Sequence, residues 1–153
     1  MNGPAGDALP ERSIVLVDGE HYPPVTARAI AALRAAGEDP VLALLVGGHE
    51  KLGQVPLDLG IPVEPAPDAE RALAAAISAT GARRVFDLSD EPVLDNVRRC
   101  RLASVALWRG ASYTGADFRF TPPPRPPVGG VPAVSVVGMG KRTGKTAVAG
   151  QAA

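Results

Sequence analysis

The sequence predicts an α/β domain in which a parallel sheet is covered by helices, followed by the opening of a second, phosphate-binding domain. Three observations predict it. Short apolar runs alternate with segments of helical period along residues 12–120. The unusual polar residues collect just after those runs. A glycine-rich turn ending in Gly-Lys-Thr stands near the end of the chain.

The elements follow in order. Residues 13–17 (SIVLV) are short, apolar and β-branched, and Asp18-Gly19 ends them, so they form a buried strand. Pro23 and Pro24 lead into VTARAIAALRAAG, where Ala29, Ile30, Leu33 and Ala36 fall at helical spacing and Gly37 stops the helix. Residues 41–46 are a second strand, stopped by Gly47-Gly48. Asp68 caps a second helix whose stripe is Ala69, Leu73, Ala76 and Ile77 and whose stop is Gly81. Residues 85–88 are a third strand. Asp90-Glu91-Pro92 is expected to open a long third helix, with Val93, Val97, Cys100, Ser104 and Leu107 on one face. Cys100 reads as a small core residue, and Trp108 as packing at the helix end. A short extended piece at 117–120 closes the block. Strands alternating with helices pair in parallel through right-handed crossovers, which gives a Rossmann-like sheet.

Residues 1–11 read as a flexible polar lead. Residues 121–132 (TPPPRPPVGGVP) hold six prolines and two glycines, which cannot join a ladder and read as a linker. Residues 133–137 are expected to be a new strand, the first of a P-loop domain that residues 133–153 only begin. Read this way, the chain is the N-terminal part of a longer enzyme.

Composition narrows the function. Hydrophobic residues are 46% of the chain, enough to bury a core. Lys+Arg and Asp+Glu both number 16, which argues against a nucleic-acid coat or a polybasic membrane binder. A single cysteine rules out an internal disulfide and a cysteine-built zinc site. No apolar run is long enough to span a bilayer, and the start is too polar for a secretory signal, so a soluble cytoplasmic protein is expected. A homo-oligomer is compatible with the sequence.

The polar edge is the first candidate site, because open parallel sheets bind ligands beyond the carboxyl ends of their strands. After the first strand come Asp18, Gly19, Glu20 and His21. After the second come Gly47, Gly48, His49, Glu50 and Lys51. After the third come Asp87, Ser89, Asp90 and Glu91. The histidines and carboxylates lack the spacing of a metal site. On the third helix Arg101 falls near the apolar face and is expected to be buried and paired, whereas Arg98 and Arg99 read as solvated.

The second candidate is the turn at Gly138, Gly140, Lys141, Arg142, Thr143, Gly144, Lys145 and Thr146. Glycines let backbone N–H groups turn toward an anion, and the helix that follows adds its positive end. Lys145 would reach the β/γ phosphates of a nucleotide, and the Thr146 hydroxyl would ligate Mg²⁺. Lys141 and Arg142 would neutralise the transferring phosphoryl group. The spacing is unusual: Met139 stands where the common pattern has glycine. The variant resembles the loops of dethiobiotin-synthetase-like enzymes.

Longer motifs carry a fuller resemblance. Asp-Gly-Glu-His-Tyr-x-Pro-Val at 18–25, Gly-Gly-x-Glu-Lys at 47–51, Asp-Leu-Ser-Asp-Glu-Pro-Val-Leu at 87–94, Arg-Leu-Ala-Ser at 101–104, Tyr113-x-Gly115-x-Asp117-Phe118 and Gly-Lys-Arg-x-Gly-Lys-Thr at 140–146 occur in order. Together they resemble the cyclic 2,3-diphosphoglycerate synthetase family across nearly the whole chain. The resemblance implies an enzyme using ATP and Mg²⁺ to close 2,3-bisphosphoglycerate into an intramolecular phosphoanhydride, with ADP and phosphate released. Phosphorylation of 2-phosphoglycerate is also associated with it. It further implies a longer protein, in which this portion alone is inactive. The partner would be a small anionic phosphorylated substrate, with Arg101, Lys51, Lys141 and Arg142 as candidate cations around it. Two other readings remain open: a different ATP- or GTP-dependent ligase with this loop variant, and a non-enzymatic module binding a phosphorylated metabolite or a partner.

Overall fold

The computed structural model describes residues 10–48, 57–124, 129–130, 134–138 and 140–152. The chain divides into two compact units, Met1–Pro123 and Pro124–Ala153.

The first unit is a six-stranded sheet flanked by three helices. In chain order its elements are β1 (Arg12–Val17), α1 (Pro23–Ala35), β2 (Asp39–Leu45), β3 (Val63–Pro65), α2 (Ala69–Thr80), β4 (Arg84–Asp87), α3 (Asn96–Trp108), β5 (Ser112–Thr114) and β6 (Arg119–Phe120). The sheet order is β3-β2-β1-β4-β5-β6. All neighbours pair in parallel except β5 and β6, which are antiparallel.

β1 is central, and Ile14 to Val17 are all buried. Alternate side chains point to opposite faces, and each face has its own core. Val15 and Val17 join Ala43, Leu45, Leu59 and Ile30 of α1. Ile14 and Leu16 join Leu42, Leu44, Val85, Leu73 of α2 and Leu102 of α3. Each buried leucine or isoleucine contributes about 1.5–3 kcal/mol.

The helix ends follow from local chemistry. Proline occupies the first turn of α1, where its missing N–H costs nothing. Asp68 caps α2 by accepting the N–H of Arg71 at 3.1 Å, and Gly81 ends it in the left-handed conformation. Asp95 caps α3 through the N–H of Arg98 at 2.8 Å.

That cap corrects the expected third helix. Residues 90–94 form a turn, with a cis Glu91–Pro92 peptide, and the helix begins five residues later than Glu91. Its buried residues are Leu102, Ala103 and Ala106. The expected stripe is not the buried one: Val97, Cys100 and Ser104 are exposed, because α3 turns its other side to α2 and the sheet. Trp108 is 74% exposed and does not close the helix end against the core.

In the second unit, residues 134–138 carry no strand, contrary to the expected strand at 133–137. A strand needs a ladder partner, and these residues pair with no strand among the described residues. The turn at 140–144 leads into α4 (Lys145–Ala152), which buries no residue. Gly144 has φ +76° and Arg142 φ +59°. A Cβ on Gly138 would meet the side chains of Thr143 and Lys145, the latter at 2.6 Å from Cγ, so a larger residue there would have to displace the lysine stem that lies back over the turn. Lys145 Nζ donates to the Gly140 carbonyl at 2.8 Å, and Thr143 Oγ1 to the same carbonyl at 3.2 Å.

Candidate functional site

The sheet order creates the site. β1 leads through α1 to β2 on one side, while the chain returns through α2 to β4 on the other. The loops leaving β1 and β4 therefore diverge, and a crevice opens beyond their carboxyl ends.

Asp18, directly after β1, organises the loops around it. It is 3% exposed. Its Oδ1 accepts the backbone N–H groups of Glu20 and His21, each at 3.0 Å, and lies 2.8 Å from His21 Nδ1. Its Oδ2 accepts the N–H of Asp90 at 2.9 Å. Burial alone would raise its pKa. The N–H of Asp90, the His21 ring, and the N–H groups of His21 and Glu20 outweigh burial and hold it below the ordinary value of 3.8.

The β2 loop is locked to the same place. Gly19 N donates to the Gly47 carbonyl at 3.0 Å. Gly48 has φ +72°, and a Cβ there would lie 2.8 Å from Gly19 N. Only glycine allows the two loops this approach. His49, Glu50 and Lys51 lie outside the described residues.

Asp87 ends β4 and is likewise buried. Its Oδ1 accepts Ser89 N at 3.0 Å; its Oδ2 accepts Arg99 Nε and the Tyr113 hydroxyl, both at 2.8 Å. Burial raises the Tyr113 pKa, and the charge and hydrogen bond of Asp87 raise it further, so the phenol keeps its proton. Burial opposes the Arg99 charge, but Asp87 more than offsets it. The guanidinium carbon lies 5.7 Å from the centre of the Phe118 ring, which stacks on Tyr113.

A cleft of about 580 Å³ opens between these groups and α1. His21, Val25, Ala29 and Leu33 line one wall; Phe86 to Asp90, Arg99 and residues 114–118 line the other. Beside it a recess of about 190 Å³ is lined by Asp18, Glu20, His21, Asp90, Glu91 and Val93. The Ser89 hydroxyl is enclosed without a hydrogen-bond partner.

Of the residues expected at this edge, the structure brings together Asp18, Gly19, Glu20, His21, Gly47, Gly48, Asp87, Ser89, Asp90 and Glu91. It does not bring Arg101. That side chain is 66% exposed and reaches Glu70 of α2 at 3.9 Å. Arg99 holds the paired position instead. The signal that could have found it is rotation along the helix: two residues turn the direction by about 200°, so Arg99 and Arg101 cannot share a face. Among the described residues no group of three or more His, Cys, Asp or Glu side chains could hold a metal. No helix among the described residues is long and apolar enough to cross a membrane.

Residues 12–121 match the family model described as cyclic 2,3-diphosphoglycerate synthetase, N-terminal domain. Curated relatives agree. The chain is 46% identical over 140 residues to the cyclic 2,3-diphosphoglycerate synthetase of Rubrobacter xylanophilus, covering 91% of the chain and 31% of the relative. It is 44% identical over 140 residues to that of Thermococcus kodakarensis, with 90% and 31% covered. To that of Methanothermobacter thermautotrophicus it is 43% identical over 153 residues, with 94% and 33% covered. The chain thus spans about a third of the length of these relatives. By the family model over most of its length and by these relatives, it belongs to the cyclic 2,3-diphosphoglycerate synthetase family.

Proposed function

We propose that this chain supplies two parts of an ATP- and Mg²⁺-dependent synthetase that closes 2,3-bisphosphoglycerate into its cyclic phosphoanhydride. The cleft beyond β1 and β4 takes the phosphorylated acceptor. The turn at 138–146 takes the phosphates of ATP. The observation that carries this reading is the convergence, in a member of this family, of the loops after β1, β4 and β5 on one cleft at the point where the sheet changes direction.

The loop residues fit a phosphate. Gly138 makes room for the Lys145 stem, and Gly144 turns the chain where other side chains are strained. Lys145 Nζ would leave the Gly140 carbonyl for the β/γ phosphates, Thr146 would meet Mg²⁺, and Lys141 and Arg142 would face the transferring group. When bound, Mg²⁺ neutralises phosphate charge. The acidic rim of the cleft, Asp90 and Asp117, with Glu91 in the recess beside it, fits a ligand that arrives with that ion on its phosphates.

The reaction balances simply. One phosphate of the acceptor takes the γ-phosphoryl group of ATP, releasing ADP. The neighbouring phosphate of the same molecule then attacks the activated phosphorus and expels inorganic phosphate. Holding the two groups together supplies the effective concentration that ring closure needs.

The test is a chimera in which residues 1–153 replace the corresponding part of the Rubrobacter xylanophilus relative. Phosphorus NMR should show cyclic product, ADP and phosphate in equal amounts from ATP and 2,3-bisphosphoglycerate. A folded chimera that forms no cyclic product, beside an active parent, would contradict the proposal.

A further inference from the structure

The proposed acceptor is a small, highly charged anion, yet the cleft carries Asp87 on its floor and Asp90 and Asp117 at its rim. Positive charge must come from somewhere. Among the described residues lining the cleft, Arg99 is the only arginine or lysine.

Its setting is built. The Nε donates to Asp87 at 2.8 Å, Nη2 to the Ser89 carbonyl at 3.2 Å, and the guanidinium lies against Phe118. Contacts from β4, from the loop after it and from residue 118 fix the plane of the group. A guanidinium has five N–H donors; these bonds use one on Nε and one on Nη2. The remaining donors have no acceptor among the described residues, and the side chain is 18% exposed. Asp87 already has donors from Ser89, Arg99 and Tyr113, so its role is to aim the arginine. A planar fork held this way suits two oxygens of one phosphate or carboxylate.

We infer that Arg99, aimed by Asp87, is the anion-binding side chain of the cleft, taking a phosphate or carboxylate of the acidic substrate on the edge turned away from Asp87. This rests on the reading of the cleft as the acceptor site.

The test is calorimetric titration of the whole 153-residue chain with 2,3-bisphosphoglycerate in the presence of Mg²⁺. Arg99→Gln alone would strand the Asp87 charge, so it is combined with Asp87→Asn, and Arg99→Lys is measured separately. Melting curves establish that each variant is folded. The double variant should bind about tenfold more weakly or worse. Arg99→Lys, which keeps the charge but loses the fork, should fall between it and wild type. Arg109→Gln, at the far end of α3, should bind as wild type does. If the double variant does not fold, Arg99→Lys carries the test, and its binding should be several-fold weaker. Wild-type affinity in folded Arg99 variants would overturn this inference and leave the cleft reading standing. No binding by the wild-type chain would overturn the cleft reading, and this inference with it.

Discussion

The Asp18 carboxylate accepts the backbone N–H of Asp90 at 2.9 Å across 72 residues of sequence. This bond ties the loop after β1 to the loop after β4, the two strands between which the sheet changes direction. It makes the shape of the cleft depend on one buried side chain.

Asp18→Asn should therefore cost roughly 2–4 kcal/mol, because an amide turns N–H groups toward N–H groups where four donors now converge. The pH dependence has a defined sign. Its folded pKa lies below 3.8, so its contribution is fully present above that value and is lost as pH falls through the folded pKa. The stability gap between wild type and variant, measured by urea unfolding, should be constant near neutrality and close below about pH 4.

Gly48→Ala and Gly81→Ala separate conformational strain from close approach. Both residues have positive φ, +72° and +69°. A Cβ on Gly81 meets open space, so the substitution should cost about 1 kcal/mol. On Gly48 it meets the Gly19 backbone, which cannot rotate away, and the cost should be clearly larger. Equal losses in melting experiments would contradict the contact between the two loops.

The observed face of α3 makes its own prediction. Leu102→Ala should cost about 2–5 kcal/mol, since Leu102 is 1% exposed in the core. Cys100→Ser should change stability by less than about 0.5 kcal/mol, since Cys100 is exposed. The reverse order in chemical denaturation would restore the stripe expected from sequence.

Lys145→Ala should abolish binding of a fluorescent ATP analogue. It should leave melting of the sheet domain unchanged, because α4 buries no residue. Retained nucleotide affinity would remove the phosphate-holding role from this lysine.

Legibility in the sequence tracked how local each signal is. β1 and β2 are readable because their apolar runs are buried on both faces, whereas β4 offers only Val85-Phe86 between charged ends and is buried at alternate positions. β3 and β5 are three residues each, and Ser112-Tyr113-Thr114 has no apolar run; its strand state comes from pairing with Arg84–Phe86. The caps at Asp68 and Gly81 are local and legible in the sequence. The start of α3 is not, because Asp90-Glu91-Pro92 has the residue types of a helix opening, while the cap that forms is Asp95. Only the structure shows that the Asp90 N–H is engaged by Asp18.

At the site, the polar edge was legible because sheet topology alone places it. The division of labour was not. Asp18 and Asp87 read as groups for a ligand, yet each is surrounded by protein donors. Arg99 read as solvated because its partner lies 12 residues back and its ring contact with Phe118 depends on the fold.

The most direct measurement is amide NMR of the ¹⁵N-labelled chain titrated with 2,3-bisphosphoglycerate and Mg²⁺. Saturable shifts should cluster at Gly19, His21, Ser89, Asp90 and Arg99, leaving the opposite end of the sheet, where Arg84 pairs with Glu11 and Glu38, unmoved. Shifts centred on that opposite end, or none in unit Met1–Pro123, would contradict the assignment of the cleft as the acceptor site.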